Sequence, residues 1–539
     1  MTMALASTLA ALGGCNGGTD PADAPALRIA ILGEVRSDDP LQAQSPAERL
    51  IAGELHLGLL RIGSGGQLTP GVAESWRVSD DGLSYLFRLK PAKWPDGKDV
   101  TGIDAAASLR RSIRDRPDLP ALGELDAIEG AVPVRERRKP LSALGVHVLT
   151  PDVIEIRLSR PAPALLALLA EPNLAITRPM RVKGRENGRL ALGSYRLMAE
   201  KTPKSDHPKQ IHYDLANHGQ PRPDQPWNLR ILPFQSTEGA IHAFRSNTVD
   251  AVLGGALEGV ADARAIGGVQ SFRATPALGA VGLTVNLQRP LLADARVRRA
   301  LAMAIDRPAL VGRLFNMREM LPLVSLVPPT VTGYASPTAP DWAAWSLAQR
   351  QTEARRLLIE AGYGEAATAA MSPDDAEANA LRIEISFVDG VEARSVIQAV
   401  AEAWAPLGVA VRALARSPES QAATLKAGDF DMAFDVRVES VDSPLPFLRV
   451  FACGQAQNFG RYCNLGADAM ITLAQSLPNI VQRTAELQKA EAAMLKDMPF
   501  LPLFVPARWS LLRAEVEGWS PSSAGAVQAS SLRWGGKGA

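Results

Sequence analysis

The three cysteines and six histidines of this 539-residue chain are its most obvious chemical resources, and their spacing limits what they can do. Cys453 and Cys463 bracket the segment FACGQAQNFGRYC, with no further soft ligand close by. A metal site there would lack donors, so a disulfide formed in an oxidising compartment is the economical reading. Cys15 follows Leu12-Gly13-Gly14 at the end of the short apolar run 3–12. Small residues before a cysteine resemble a bacterial lipobox, in which Cys15 is diacylated and becomes the mature N-terminus. No Lys or Arg precedes the run, so the positive n-region of a signal peptide is missing. His207, His212 and His218 share one polar segment. Imidazoles can ligate nickel or haem iron, but this spacing fits neither a helix face nor a strand face and reads as a surface loop.

The signatures of hydrolases, metallopeptidases, P-loop enzymes and dinucleotide-binding proteins are absent. Gly63-Ser64-Gly65-Gly66 reads as a turn, and Asp80-Asp81 carries no catalytic weight. The chain is expected to be no enzyme and to need no cofactor or resident metal. With 58 basic and 57 acidic residues, the net charge is +1. That balance gives no electrostatic reason to expect nucleic acid, and it argues against an anionic ligand held by bulk charge. A hydrophobic fraction of 46% supplies a sizeable core. At roughly 100–200 residues per domain, the length calls for more than one lobe. Beyond the N-terminal run, no stretch approaches the ~18–20 apolar residues that cross a bilayer.

The elements that would position any site follow from local patterning. LRIAIL (27–32) reads as a buried strand. Leu83, Tyr85, Phe87 and Leu89 alternate after Asp80-Asp81-Gly82, which marks a hairpin because glycine tolerates positive φ. Residues 146–158 give a second hairpin around Thr150-Pro151-Asp152. Thr101 or Asp104 is a fitting N-cap for a helix through Ile113, and Asp294 for a helix to Ile305. Strand 381–388, a helix from Ala393 to Leu407 ending at Gly408, and strand 409–414 make a β-α-β unit of the kind that builds α/β lobes. A helix over 480–494 and an apolar strand over 500–505 complete the outline.

Several segments, in order, resemble the family-5 extracellular solute-binding proteins, the group of oligopeptide-, dipeptide- and nickel-binding proteins of ABC transporters. They are Leu57-Gly58-Leu59-Leu60 with the run Thr69–Trp76, and Lys93-Trp94-Pro95-Asp96-Gly97 with Val100-Thr101 and Asp104. Val285-Asn286 with the run Val297–Arg307, and Ala354–Leu358 with Glu360-Ala361-Gly362-Tyr363, follow. Trp404–Val409 and Pro499–Phe504 close the series.

The resemblance implies a two-lobed α/β fold of the periplasmic-binding-protein kind, with an extra subdomain and a discontinuous lobe I. The expected order begins with a signal peptide with lipobox (1–15) and a tether (16–26). The opening stretch of lobe I (27–49), the extra subdomain (50–170) and the middle stretch of lobe I (171–258) come next. Lobe II (259–490) and the closing stretch of lobe I (491–539) complete the chain. Crossings between lobes are expected near 256–275 and 485–500. The implied function is capture of peptides in the inter-lobe cleft by a monomer and delivery to an ABC permease and its ATPase. The protein would be periplasmic, held at the cell envelope by a lipid on Cys15. The same fold binding another small solute, a metal or haem is the alternative. Peptide-binding relatives carry an acidic residue near the segment FDVRVESVDSPLPF that pairs with the peptide α-ammonium. Here that segment offers Glu439 and Asp442, and Arg437 is a candidate for a ligand carboxylate. The usual Trp and Asp-Tyr wording is missing from it.

Overall fold

The computed structural model describes residues 25–63, 66–116, 122–182, 185–201, 212–217, 226, 228–334, 339–363, 381–520 and 528–535. Cys15, His207 and His218 lie outside the described residues.

The protein is a two-lobed α/β molecule. Lobe I is built on a seven-stranded sheet in the order Tyr195–Lys201, His212–Asn217, Asn228–Phe234, Leu27–Leu32, Ala251–Leu253, Ala507–Leu512, Phe272–Pro276. Leu27–Leu32 is flanked on both sides by parallel partners, in registers Leu27↔Leu229 and Ile29↔Ala251. A parallel strand covered on both faces has no need of polar alternation, which is why LRIAIL is almost continuously apolar.

Lobe II carries a six-stranded sheet in the order Leu321–Pro322, Phe500–Val505, Gly279–Val285, Met432–Val438, Arg382–Val388, Ala410–Arg416. Every residue of Gly279–Val285 is buried. Arg382–Val388 runs parallel to both Met432–Val438 and Ala410–Arg416. The helix Val391–Trp404 makes the crossover, and Gly408, at φ +75°, turns the chain into the next strand. The subdomain holds an antiparallel sheet in the order Ala73–Val78, Ser84–Leu89, Val153–Arg157, Val146–Thr150 over its own core. Gly82 takes φ +69° in the first hairpin turn.

Sheet membership revises the expected boundaries. The chain leaves lobe I only after Phe272–Pro276, which pairs antiparallel with Ala507–Leu512, and enters lobe II at Gly279. It returns after Phe500–Val505, which pairs with Gly279–Val285. The crossings are therefore Ala277-Leu278 and Pro506, later than 256–275 and 485–500. The divisions at 258/259 and 490/491 each detach a strand from the sheet that holds it. The division at 49/50 cuts the helix Pro46–Leu55, whose Ala47, Leu50, Ile51 and Leu55 pack into the lobe I core.

The family-like sequence segments hold this frame together. Thr101 N–H donates to Asp104 Oδ2 at 2.9 Å at the start of helix Gly102–Asp115, and the indole of Trp94 reaches the same oxygen at 3.2 Å. Asp294 caps helix Ala295–Ala304 through Arg296 N (2.8 Å), and Asp306 caps helix Arg307–Leu314 through Ala309 N (3.2 Å). Arg298 and Arg307 are buried and donate to backbone carbonyls, Arg307 through Nε and Nη1 while its Nη2 is buried without a partner among the described residues. Trp404 Nε1 donates to Leu301 O at 2.9 Å, tying the crossover helix to Ala295–Ala304. Buried cations and indoles need such partners, since an unmet polar group costs about 1–3 kcal/mol. Cys453 and Cys463 are joined by a disulfide, sulfurs 2.07 Å apart, and the Asn458 amide fills the loop they close by donating to the carbonyls of Phe451, Ala452 and Tyr462.

Candidate functional site: the cleft between the lobes

In open α/β sheets, ligands bind outside the carboxyl ends of parallel strands. The parallel strands of lobe I end at Leu32, Phe234 and Leu253, and those of lobe II at Val388, Arg416 and Val438. These two edges face each other. Glu258, in the loop after Leu253, meets the first turn of helix Val391–Trp404, which starts just past Val388. Arg36, past Leu32, acts on Glu419, past Arg416. The cleft is therefore the place where both topologies aim their loops.

Glu439 is the first residue beyond the strand Met432–Val438. Its backbone N–H donates to Leu278 O at 2.8 Å, which fixes it directly against the first crossing. Burial pushes its carboxyl up from the ordinary range, Arg437 and Arg49 pull it down, and Glu171 adds to the rise. Among the described residues, none donates a hydrogen bond to that carboxyl. Beside it, Arg49 of helix Pro46–Leu55 bridges Glu171 at 2.6 Å. Glu171 is buried, which raises its carboxyl; Arg49, the Ser440 hydroxyl and Arg508 oppose the rise. Arg508, in the strand that follows the return crossing, has its Nε buried without a partner among the described residues. Burial lowers its guanidinium, as does the charge of Arg49, while Glu171 counters. A small cavity of about 100 Å³ opens here among Arg49, Glu54, His56, Glu171 and Ser440. Burial pushes the His56 imidazole down to about 4, so it lines this space as a neutral ring.

The structure separates the three residues singled out in the sequence. Arg437 is built into lobe II: its Nε donates to Asp435 at 2.7 Å, its Nη2 to Thr284 at 3.0 Å, and its guanidinium lies 4.7 and 4.8 Å from the ring centres of Phe451 and Phe500. With donors and faces engaged, it reaches the cleft through its charge on Glu439. Asp442 is exposed and accepts from Thr332 N at 2.9 Å, clipping two lobe II loops together. It borders a different cavity of about 240 Å³ between the subdomain and lobe II, with Glu124, Arg160, Tyr334 and Arg483. Glu439 alone of the three sits in the Arg49–Glu171–Arg508 cluster. That cluster is invisible in the sequence because its members stand far from one another in the chain and belong to no motif.

His212 begins the strand His212–Asn217. Among the described residues, no group of three or more His, Cys, Asp or Glu is placed to hold a metal ion.

A family profile described as bacterial extracellular solute-binding proteins, family 5 middle, matches residues 67–459. The chain is 26% identical over 505 residues to the periplasmic oligopeptide-binding protein OppA of Escherichia coli K12, covering 90% of this chain and 88% of that one. It is 24% identical over 497 residues to the probable deoxycholate-binding periplasmic protein YgiS of the same organism, covering 89% and 88%. Among solved structures, the murein tripeptide binding protein MppA of Escherichia coli superposes with a TM-score of 0.78 at 21% identity, covering 95% of this chain and 99% of that one. OppA of Burkholderia pseudomallei gives 0.77 at 24% identity with the same coverage.

Proposed function

The chain belongs to the bacterial extracellular solute-binding proteins of family 5, and from that premise we propose that it captures short peptides between its lobes and hands them to an ABC permease. Glu439 is the receptor for the peptide ammonium. The observation that carries this reading is a desolvated carboxyl at the cleft edge with no hydrogen bond from any described residue. An ammonium brings three donors and a full positive charge, and charge-assisted bonds of this kind are the strong ones. Arg49 and Arg508, already drawn toward Glu171, leave Glu439 short of a counter-ion.

The oligopeptide-binding names of several relatives support a peptide as ligand. Export and a lipid anchor on Cys15 rest on the Leu12-Gly13-Gly14-Cys15 segment, and a periplasmic location on the relatives' names. The deoxycholate-binding name of another relative makes a non-peptide amphipath the rival reading.

Native mass spectrometry of protein made in a bacterial periplasm tests this. A ladder of peptide masses that is lost in Glu439→Gln supports peptide capture through Glu439. A single non-peptide adduct that survives that substitution overturns it.

A further inference from the structure

Glu258 and Glu392 come from opposite lobes. Glu258 lies in the loop after Ala251–Leu253, and its carbonyl accepts from Trp509 Nε1 at 3.1 Å. Glu392 lies in the first turn of helix Val391–Trp404. The Glu258 carboxyl lies against the start of that helix, beside Gly390, where the Glu392 carboxyl acts on it through a hydrogen bond and through its charge. Gly390 shows how closely they fit. Its φ of −174° is extended backbone open to any residue, so conformation does not demand glycine there. A Cβ on Gly390 would stand 2.5 Å from the Glu258 carboxyl carbon, so any larger residue there would push that carboxyl aside.

Two carboxylates in contact repel, and two carboxyls joined by a hydrogen bond need a proton between them. We propose that Glu258 and Glu392 form a proton-dependent latch that holds the two lobes together when the cleft is empty. The latch is a property of the lobes, independent of which ligand the cleft takes.

Burial, and then the hydrogen bond and charge of Glu392, push Glu258 up to about 8. Other charged groups nearby, Arg416 apart, are engaged or turned to solvent. Asp389 and Arg394, beside Glu392, pair through two bonds of 2.7 Å. Glu34, past Leu32, bonds Arg36 and Gln235. Arg508, next to Trp509, is drawn to Glu171. Glu238, His242 and Asp262, on the helices flanking the Glu258 loop, are exposed, and Arg264 donates to Phe315 and Asn316 carbonyls. Arg416, at the end of the strand beside Asp389, is half-buried, and its Nε is buried without a partner among the described residues.

The direction follows from linkage. A carboxyl raised in the closed form favours closure fully below its ordinary value of 4.5, and the advantage is lost as pH rises through about 8. Across that window, the ratio of closed to open molecules falls by up to about tenfold per pH unit.

Small-angle X-ray scattering of the ligand-free protein at pH 5 and pH 9, with circular dichroism to confirm that it stays folded, reads this directly. The wild type is expected to expand at pH 9. Glu258→Gln, whose amide donates to Glu392 with no proton to lose, is expected to be compact at both values. Glu258→Ala is expected to be open at both. Glu392→Gln is the reciprocal variant and serves if Glu258→Gln fails to fold. A wild type equally compact at pH 5 and pH 9, or an expansion that persists in the folded Gln variant, overturns the latch.

Discussion

Ala277, on the chain's way out of lobe I, donates its backbone N–H to Pro506 O, on the way back, at 2.8 Å. The two crossings are thus bonded to each other, and the next residue, Leu278, accepts from Glu439 N. Hinge and candidate anchor are consecutive links of one hydrogen-bond chain. Ala277→Pro removes the donor and leaves the Pro506 carbonyl unmet, and should lower stability by about 1–3 kcal/mol. Chemical denaturation checks the loss, and the same variant should bind peptide more weakly, because Glu439 hangs from the adjoining residue.

Glu439→Gln should weaken binding of a short peptide roughly 10- to 100-fold, the equivalent of about 1.5–3 kcal/mol for a hydrogen bond to a charged group. Isothermal titration calorimetry measures it. The ligand-free variant should be no less stable than the wild type at pH 8, because the substitution removes a carboxyl that burial already disfavours in its charged form. A variant that loses stability and keeps affinity would make Glu439 a structural residue.

Glu171 sets a pH dependence. Its carboxyl is raised in the folded protein, so its contribution to stability is full below the ordinary carboxyl range and declines as pH rises through the folded value. Glu54 and Glu439 act in the same direction. His56, held neutral by burial down to about 4, acts in the opposite direction below its ordinary value of 6.5, so thermal melting temperature should fall from about pH 6.5 toward pH 8. Arg49→Met leaves Glu171 buried without its ion pair and should cost about 3–5 kcal/mol. That cost should shrink at pH 5, where protonation of Glu171 relieves it.

Asp104→Ala strips two partners from one residue, the capped Thr101 N–H and the indole of Trp94. A loss of about 1–3 kcal/mol is expected, confined to the subdomain. Hydrogen exchange should speed up in helix Gly102–Asp115 while peptide affinity holds.

What the sequence discloses is local. Asp80-Asp81-Gly82, the caps Asp294 and Thr101/Asp104, and Gly408 each encode a turn or terminus through chemistry with immediate neighbours, and the structure has them in those roles. Helix Leu465–Ser476 is not legible in this way, since its apolar residues leave a weakly defined stripe and two of them, Leu465 and Leu473, are exposed. The expected lobe boundaries fall too early because Phe272–Pro276 finds its partner more than two hundred residues later, and no local pattern reports such a pairing. The Arg49–Glu171 bridge spans 122 positions and Arg508 lies much further on. A site of this kind exists only once both sheets have formed.

Four consecutive residues from Glu439 to Asp442 are fixed to three separate bodies. Glu439 hangs from the crossing at Leu278, Ser440 meets Glu171, Val441 is buried in the subdomain core, and Asp442 holds Thr332. A segment so tethered has no slack, because one residue more or less would shift every attachment by up to about 3.6 Å of chain. Descendants of this protein can retune what they carry by exchanging side chains along the segment. They cannot do it by lengthening or shortening it, so ligand choice here can drift only at constant loop length.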